Sequence, residues 1–482
     1  MNIRFIATRL LLLLAVFAIL TPGVYGQAMD SVLVGAVTDS SGAAVPDAAI
    51  TALNKATGVK YTTVTNAQGD YRINNVPVGR YDVSATAKGF STATMADVAL
   101  ELNHTATINL TLQVGGVATS VEVTAAAALI DTSTAQLQTT FTTNIAEDVG
   151  VAAFSKVVNG SGIWNLSLLG AGVASSGGVG QGTGPSVAGQ RPENNSFSID
   201  GVLNDNHYVT GPQVTIPNDA VGEFTLLQNQ FSPEFGGASG GVFNVLVKSG
   251  TNSIHGSIYE YLQNRNLNAL DEIQRQAGLT SQPRFDSNRL GANVGGPILK
   301  NKLFYFGDYE YNPLGQASVP AGTVSAPTAA GLSALSGIPG ISTTNLDIFK
   351  KYVPVASTAD SSVSVGGVSI PIGPLTFASP NYFNSYNAVI AIDYNLSDKD
   401  QIRGRYLYNS SKGLDAVANL PAFFEPLPNV NNSVSVSEFH SFSATMANEL
   451  RVSYNRNNQN ITAGSFKFPG LDMFPNLAFD DL

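Results

Sequence analysis

The residues of this sequence whose types and spacing could do chemistry are Ser239 and Lys248, in the glycine-rich stretch at 233–252. Ser239 has the spacing Gly-x-Ser-x-Gly of a hydrolase nucleophile, and Lys248 precedes a serine as in a phosphate-binding loop. A nucleophile elbow needs an apolar strand before the serine and a helix after it, whereas here the apolar run follows the serine. Lys248 also lacks the glycine that directly precedes the lysine of a phosphate loop. We therefore predict no catalytic residue in this stretch.

Histidine and cysteine do not form a recognisable metal-binding pattern. His104, His207, His255 and His440 are far apart in the sequence, and the chain contains no cysteine. We predict no metal and no cofactor. The glycines of the opening stretch have a structural explanation, because glycine permits positive φ and close backbone approach. We predict that a junction between two domains is formed here by Gly236, Gly237, Gly240, Gly241, Lys248 and Gly250.

The composition limits the possible partners. The 482 residues have a net charge of −10, and only 12% of them are charged. Because the chain has no run of lysine or arginine, we predict no nucleic-acid partner. Residues 1–26 have the arginines, short apolar run and small residues of a cleaved secretory signal peptide. No later stretch reaches the roughly 20 continuous apolar residues of a membrane helix, so any contact with a membrane would have to be made by strands.

Two regions of different character follow the signal peptide. Residues 31–114 contain short runs of strict period-two alternation, such as Tyr81, Val83 and Ala85, separated by turn sequences. This pattern predicts an immunoglobulin- or prealbumin-like β-sandwich. Residues 126–250 are less regular and rich in glycine and serine, and we predict a small α/β domain there.

Residues 251–482 change to longer alternating strands. In residues 401–409, Ile402 and Tyr406 lie on an apolar face, whereas Arg403 and Arg405 lie on a polar face. If the strands form a transmembrane barrel, the polar face lines the lumen, so we predict that both arginines point into it.

The connections between these strands favour a barrel over a soluble sandwich. A connection of roughly seventy residues follows the strand near 302–311, and a second long loop is predicted at about 411–432. Tight turns at 395–400 and 445–448 alternate with them. Large external loops and short periplasmic turns are typical of transmembrane β-barrels.

Several motifs also resemble a known family. The stretches 197–206, 223–269 and 289–311 resemble Oar-like TonB-dependent outer-membrane receptors, and residues 31–114 resemble the carboxypeptidase-regulatory-like domain that precedes many of them. The resemblance implies a mainly β chain with a sandwich at 31–114, a plug domain at 126–250 and a transmembrane antiparallel barrel from 251. It also implies a location in the cell outer membrane, contact with its lipid, and a ligand such as a carbohydrate or a peptide.

One short segment resembles the TonB box, through which such receptors contact the energy-coupling protein TonB. It spans residues 119–125 and contains Ser120, Val121, Glu122, Val123, Thr124 and Ala125. In the family this extended segment pairs edge-on with a strand of TonB. The same alternation is compatible with an ordinary strand that closes the first domain.

The predicted barrel is shorter than the family pattern. We count seven or eight strands before residue 482, whereas the family barrel has 22, so we expect this sequence to be part of a longer receptor. The leading hypothesis is ligand-gated, TonB-coupled import without catalysis. The alternatives are a surface receptor or adhesin that does not transport, and a secreted hydrolase that uses Ser239.

Overall fold

The structure is a computed structural model, and it describes most of the chain between residues 30 and 460. The residues it does not describe within that range are 116–119, 125–134, 143–161, 176–183, 207–209, 233–234, 268, 271, 273–274, 276–279, 283, 319–323, 376–378, 416–423 and 444–445. The predicted signal peptide and Ala125 of the predicted TonB box therefore lie outside the described residues. The described part is mainly β-structure in three regions, which confirms the predicted fold class.

The first domain, residues 30–115 together with the strand at 120–124, is a β-sandwich. One sheet has the order β4-β1-β7, with β8 also paired to β1, and the other has the order β3-β2-β5-β6-β9. Alternate residues of the strands face inward, so Tyr81, Val83 and Ala85 are fully buried. The strands are β1 (Ser31–Asp39), β2 (Ala49–Asn54), β3 (Lys60–Val64), β4 (Asp70–Val76), β5 (Gly79–Thr86), β6 (Thr92–Leu100), β7 (Thr105–Thr107), β8 (Leu110–Leu112) and β9 (Ser120–Thr124).

The middle domain, residues 135–250, contains a five-stranded sheet of order β10-β15-β16-β13-β14 and a separate β11-β12 hairpin. Its core is aromatic: Trp164 is fully buried and meets Phe197 edge-on at a centroid distance of 5.2 Å. The strands are β10 (Leu137–Thr142), β11 (Val173–Ser175), β12 (Pro185–Val187), β13 (Ser196–Ile199), β14 (Val202–Leu203), β15 (Val221–Asn229) and β16 (Val242–Val247). Helical segments in the described part of this domain are short 3₁₀ helices at Gly162–Leu169, Pro192–Asn194 and Asn218–Ala220.

The third region is a sheet of seven strands, called here the long-stranded sheet. Every strand pairs antiparallel with the next strand of the sheet, in the order β17-β18-β19-β23-β24-β25-β26. All except β17 are 14 to 19 residues long, which exceeds the roughly 9–11 residues that a tilted strand needs to cross a bilayer. The strands are β17 (His255–Asn264), β18 (Phe285–Leu299), β19 (Leu303–Ser318), β23 (Ser379–Ser397), β24 (Asp400–Asp415), β25 (Glu425–Ser443) and β26 (Met446–Gln459).

Short and long connections alternate at the two ends of this sheet, as the sequence predicts. Residues 300–302 and 398–399 join strands at one end, called here the tight-turn end, where β25 also ends at Ser443 and β26 begins at Met446. The predicted long loop at 411–432 is wrong in extent, because β24 continues to Asp415 and β25 begins at Glu425. The polar and proline-containing sequence there resembles a loop, but its backbone is paired along both strands.

The roughly seventy-residue connection also differs from the prediction, because it folds into a small unit of its own. It contains β20 (Val324–Pro327), β21 (Ser361–Val365), β22 (Val368–Leu375), α1 (Ala329–Ser336) and α2 (Thr343–Tyr352). Thr328 and Ser342 cap the two helices by accepting hydrogen bonds from Gly331 and Asn345. Leu335, Leu346 and Ile370 form a separate hydrophobic cluster.

The two faces of the long-stranded sheet differ in polarity. One face exposes large apolar side chains, among them Ile258, Leu262, Ile390, Val436, Leu450 and Val452. The opposite face is covered by the middle and first domains and is rich in buried asparagine, serine and charged residues. Among the described helices, none has both the length and the apolar character needed to cross a membrane.

Candidate functional site

The three regions meet at a cavity of about 260 Å³ near the tight-turn end of the long-stranded sheet. Asp30 of the first domain, Lys248 of the middle domain and Arg403 of the sheet all line it. Ser249 donates a hydrogen bond to Asp393 of β23 at 2.5 Å, so the end of the middle domain also contacts the sheet. Movement of one region against another would have to break contacts at this junction.

Arg405 links the middle domain to the long-stranded sheet. Its guanidinium contacts Asp200, in the turn between β13 and β14, and Asp393 on the neighbouring strand at 2.7 Å. The Arg405 side chain is only 4% exposed. Asp200 also accepts a hydrogen bond from the backbone of Val247 at 3.0 Å. A buried charge of this kind is stable only while its partners remain in place.

Arg403 makes the corresponding link to the first domain. Its two terminal nitrogens donate to the two carboxylate oxygens of Asp30 at 2.8 and 2.9 Å, in a bidentate pair. The guanidinium also stacks on the ring of Phe439, 4.6 Å from its centroid. Because Asp30 directly precedes β1, this pair fixes the start of the sandwich to the sheet.

Further contacts seat the first domain on the tight-turn end. The side chain of Asn252 donates to the backbone oxygen of Thr57 at 2.6 Å, and Gln401 donates to that of Asn75 at 3.4 Å. Phe304 of β19 is 1% exposed and belongs to the hydrophobic core of the first domain. Two residues further along the same strand, Phe306 belongs to the core of the middle domain. One strand of the sheet therefore contributes an aromatic side chain to each neighbouring core.

A ladder of asparagines runs across four adjacent strands on the covered face of the sheet. Asn387, Asn409, Asn431 and Asn457 are register partners. The NH₂ groups of Asn457, Asn431 and Asn409 each donate to the amide oxygen of the next asparagine toward Asn387, and the NH₂ of Asn387 donates to Glu310. The middle domain contacts the ladder through Gln213, which donates to Asn431 at 2.7 Å. The amide groups of the ladder are uncharged, in contrast to the arginine pairs nearby.

A second polar contact lies on the other side of the middle domain. Tyr261 of β17 donates to the carboxylate of Asp219 at 3.1 Å, and the guanidinium of Arg289 lies 4.4 Å from the Tyr261 ring centroid. Arg289 also pairs with Glu310 at 3.5 Å. The middle domain is thus in polar contact with strands at both sides of the sheet.

Glu223 connects the middle domain to the first domain directly. It is 4% exposed, and its carboxylate accepts a hydrogen bond from the backbone N–H of Leu102 at 2.5 Å. Burial raises the pKa of Glu223 from 4.5 to about 8, with a smaller contribution from the nearby carboxylate of Glu101 and an opposing one from the Leu102 hydrogen bond. Burial therefore favours the protonated side chain, and the hydrogen bond from Leu102 offsets this only in part.

The raised pKa of Glu223 predicts a pH-dependent stability. A carboxyl group whose pKa is higher in the folded state stabilises the fold at low pH, and that contribution is lost as pH rises from about 4.5 to about 8. The loss at pH 9 amounts to a few kcal/mol, at about 1.4 kcal/mol for each pKa unit. Glu223→Gln keeps an oxygen acceptor but does not titrate, so its melting temperature should fall less than that of the parent between pH 5 and pH 9. Parallel melting curves of the two proteins would contradict this assignment.

The residues of the predicted glycine junction lie in two places. Gly236, Gly237, Gly240 and Gly241 are in the connection between β15 and β16, inside the middle domain, so they do not join two domains, whereas Lys248 and Gly250 lie between β16 and β17. Gly237 has a φ of +86°, and a Cβ on Gly241 would lie 2.9 Å from Leu226. A Cβ on Gly250 would lie 2.6 Å from the backbone oxygen of Gly296 on β18. Gly236 and Gly240 flank the same turn, and the backbone N–H of Lys248 donates to Ala220 at 2.9 Å. The positive φ at Gly237 and the close approaches at Gly241 and Gly250 explain why glycine is needed at these positions.

Ser239 lies in this turn with its side chain exposed, and its backbone N–H donates to Asn194 at 3.1 Å. The two histidines considered as its partners from the sequence contact other groups: His255 contacts the backbone of Ser253, and His440 contacts Asp400. This geometry does not favour the hydrolase alternative.

The described residues of the predicted TonB box, Ser120–Thr124, are in strand conformation. Ser120–Thr124 forms β9, which pairs in parallel with β6 of the first domain, with Ser120 opposite Thr92 and Thr124 opposite Ala96. This pairing is the arrangement expected if the segment is a closing strand of the sandwich. Its role as a TonB box stays a prediction, and so does the lumen assignment of Arg403 and Arg405.

Sequence reasoning missed one cluster of possible cation ligands. Asp400, Glu438 and His440 each place one ligand atom within 4.8 Å of the others at the tight-turn end. Spacing along the chain could not reveal them, because Asp400 is on β24 and the other two are on β25. Hydrogen bonds from Ser397 to Asp400 and from Asn448 to Glu438 already satisfy much of the cluster.

Two domain families match the sequence. Residues 32–113 match the carboxypeptidase regulatory-like domain, and residues 246–480 match the outer membrane beta barrel domain. These matches confirm both parts of the resemblance stated from the sequence.

The similarity to known proteins covers part of the length of each. The TonB-dependent transporter Oar of Myxococcus xanthus is 28% identical over 293 residues, which are 59% of this chain and 27% of Oar. The probable TonB-dependent siderophore receptor PirA of Acinetobacter baumannii is 30% identical over 141 residues, 26% of this chain and 16% of PirA. The chain therefore spans less than a third of either relative.

Solved structures of similar proteins include the siderophore receptor PirA, with a TM-score of 0.41 and 15% identity over 67% of this chain and 40% of PirA. The ferric enterobactin receptor PfeA of Pseudomonas aeruginosa has a TM-score of 0.41 and 14% identity, over 67% of this chain and 41% of PfeA.

Proposed function

Because this chain is an outer membrane protein with a carboxypeptidase regulatory-like domain and is related to TonB-dependent receptors, we propose that it acts in ligand-gated, TonB-coupled import. In this proposal the middle domain is the plug, and the long-stranded sheet is part of the barrel wall. The exposed apolar face of the sheet contacts lipid, and the covered face lines the lumen. Transport of this kind needs no catalytic residue.

The observation that carries the proposal is the position of the middle domain on the polar face of the long-stranded sheet. It contacts that face through a buried arginine pair, a shared aromatic residue and an asparagine ladder. A domain held in this way obstructs the space beside the wall, and it can move only if these contacts are exchanged for others. That is the behaviour required of a gate.

The placement of the first domain supports an inward direction of transport. It lies at the tight-turn end, which in a bacterial outer-membrane barrel faces the periplasm. The folded unit between β19 and β23 then lies at the external end, where a ligand would first make contact. In this orientation β9, Ser120–Thr124, is on the same side as TonB, which would pair with its backbone.

The proposal predicts that Val121→Pro separates ligand binding from import. Proline removes a backbone donor and fixes φ, so pairing with a TonB strand should weaken by about 1–3 kcal/mol, or roughly 5- to 150-fold. Val121→Ala keeps the backbone donor and serves as the matched control. The measurement compares capture of the receptor by the periplasmic domain of TonB, and import in cells, at equal receptor levels in the membrane.

Binding of external ligand to cells should be the same for both variants, because the segment lies on the periplasmic side. An adhesin would keep its whole function in the proline variant and in a variant that lacks residues 119–125. Normal import by either of these variants would therefore refute TonB coupling through this segment.

A further inference from the structure

The edge of β6 is occupied by the segment that resembles the TonB box. β9 pairs with β6 over five register positions, from Thr92 with Ser120 to Ala96 with Thr124. The pairing ends directly before Asp97, whose φ is +59° and which pairs with Lys55 and Arg80. The register between β5 and β6 also shifts near this point. The docking edge is therefore short and has a defined end.

β9 lies beyond the part of the sandwich that matches the carboxypeptidase regulatory-like domain, which ends at residue 113. It is the outermost strand of its sheet, in the order β3-β2-β5-β6-β9. A strand at this position can leave without reordering the rest of the sheet, although its departure exposes the backbone groups of the β6 edge. Few hydrogen bonds form over five positions, so a competing strand can replace them.

The same first domain is attached to its neighbours independently of β9. Asp30 pairs with Arg403 on the long-stranded sheet, and Leu102, two residues after β6, donates to Glu223 of the middle domain. A pull on β9 while it is docked would thus be transmitted into the anchored first domain. For the pull to reach the middle domain, which begins after β9 in the chain, β9 must first separate from β6.

We propose that the β6 edge, Thr92–Ala96, is a docking site for Ser120–Thr124, and that this segment exchanges from β6 to TonB during coupling. This inference rests on the proposed function for the identity of the second partner. Its first half, the docking on β6, does not depend on TonB. The edge strand of TonB that accepts the segment would replace the backbone hydrogen bonds that β6 provides in the resting state.

An engineered disulfide tests the exchange cleanly, because the chain contains no cysteine. Thr94 and Glu122 are register partners, and neighbouring strands lie about 4.8 Å apart, within the Cα separation that a disulfide allows. Thr94 is only half-buried, so the change does not disturb the core. The variant T94C/E122C should form the disulfide in the periplasm without TonB. The out-of-register control T94C/V123C should form much less.

Capture of the receptor by the periplasmic domain of TonB then tests the second part of the proposal, the exchange of Ser120–Thr124 from β6 to TonB. The oxidised T94C/E122C receptor should be captured at least about 10-fold less than the parent, and reduction should restore capture. Absence of the disulfide would overturn the docking, and undiminished capture of the oxidised form would show that TonB pairs with β9 without displacing it. If the parent and the reduced form are not captured either, both the proposed TonB coupling and the exchange are refuted. The yield of the disulfide still tests the docking of Ser120–Thr124 on β6 separately.

Discussion

Replacement of Arg405 by alanine should loosen the middle domain from the long-stranded sheet by about 3–5 kcal/mol, the usual cost of removing one partner of a buried ion pair. The truncation leaves the carboxylates of Asp200 and Asp393 side by side, at 11% and 13% exposure, without their cation. Two effects should follow in the full receptor: a lower denaturant midpoint, and entry of a large hydrophilic antibiotic that the outer membrane normally excludes.

The control for this prediction removes the charges together. In the triple variant R405M/D200N/D393N no uncompensated charge remains, and replacement of a whole buried ionic group is often close to neutral for stability. We expect this variant to recover most of the lost denaturant midpoint. If R405A has the stability and the antibiotic exclusion of the parent, the Arg405 pairs do not hold the middle domain in place.

Phe304→Ala and Phe306→Ala should each cost about 3–5 kcal/mol, but they should destabilise different domains. Both side chains are 1% exposed and lie on the same face of β19, so the two truncations disturb the strand in a similar way. Phe304 belongs to the core of the first domain and Phe306 to that of the middle domain. F304A should increase amide hydrogen exchange in residues 31–112, and F306A should increase it in residues 137–247.

The leucine variants F304L and F306L keep most of the buried apolar surface and should restore most of the protection. The decisive comparison is the location of the change. The same exchange pattern in both alanine variants would mean that β19 itself unfolds, and that the two contacts are not separate.

The strands and their two faces could be predicted from the sequence, because the alternation of apolar and polar residues involves only residues close together in the chain. Ile402 and Tyr406 alternate with Arg403 and Arg405, and this alternation alone places the arginines on the covered face of β24. The ends of the strands were less predictable. Residues 411–415 and 425–432 contain serine, asparagine and proline, and nothing local distinguishes paired from unpaired backbone there. The helices at Ala329–Ser336 and Thr343–Tyr352 are short, and their caps, Thr328 and Ser342, give only a weak signal.

Of the contacts between the middle domain and the long-stranded sheet, only the residues on the sheet could be predicted from the sequence. The position of Arg405 on the polar face follows from its own strand, but its partner Asp200 is 205 positions away and lies in a turn of another domain. Similarly, the alternation of Val121 and Val123 predicts an extended segment, whereas the identity of its partner depends on which sheet edge lies nearby. Glu223 gives no sign in the sequence that it is buried, because its contact with Leu102 joins two separately folded regions.

The asparagine ladder determines what the wall would be like once the middle domain has moved aside. Each of Asn387, Asn409 and Asn431 would keep a hydrogen bond to a neighbouring amide, so the side chains would remain ordered along the wall. Water could wet this surface immediately, since amides and neighbouring serine hydroxyls such as those of Ser433 and Ser435 both donate and accept. A hydrated, uncharged strip of this kind offers a passing polar solute many equivalent weak contacts, so the solute can advance along it without being trapped at a single position.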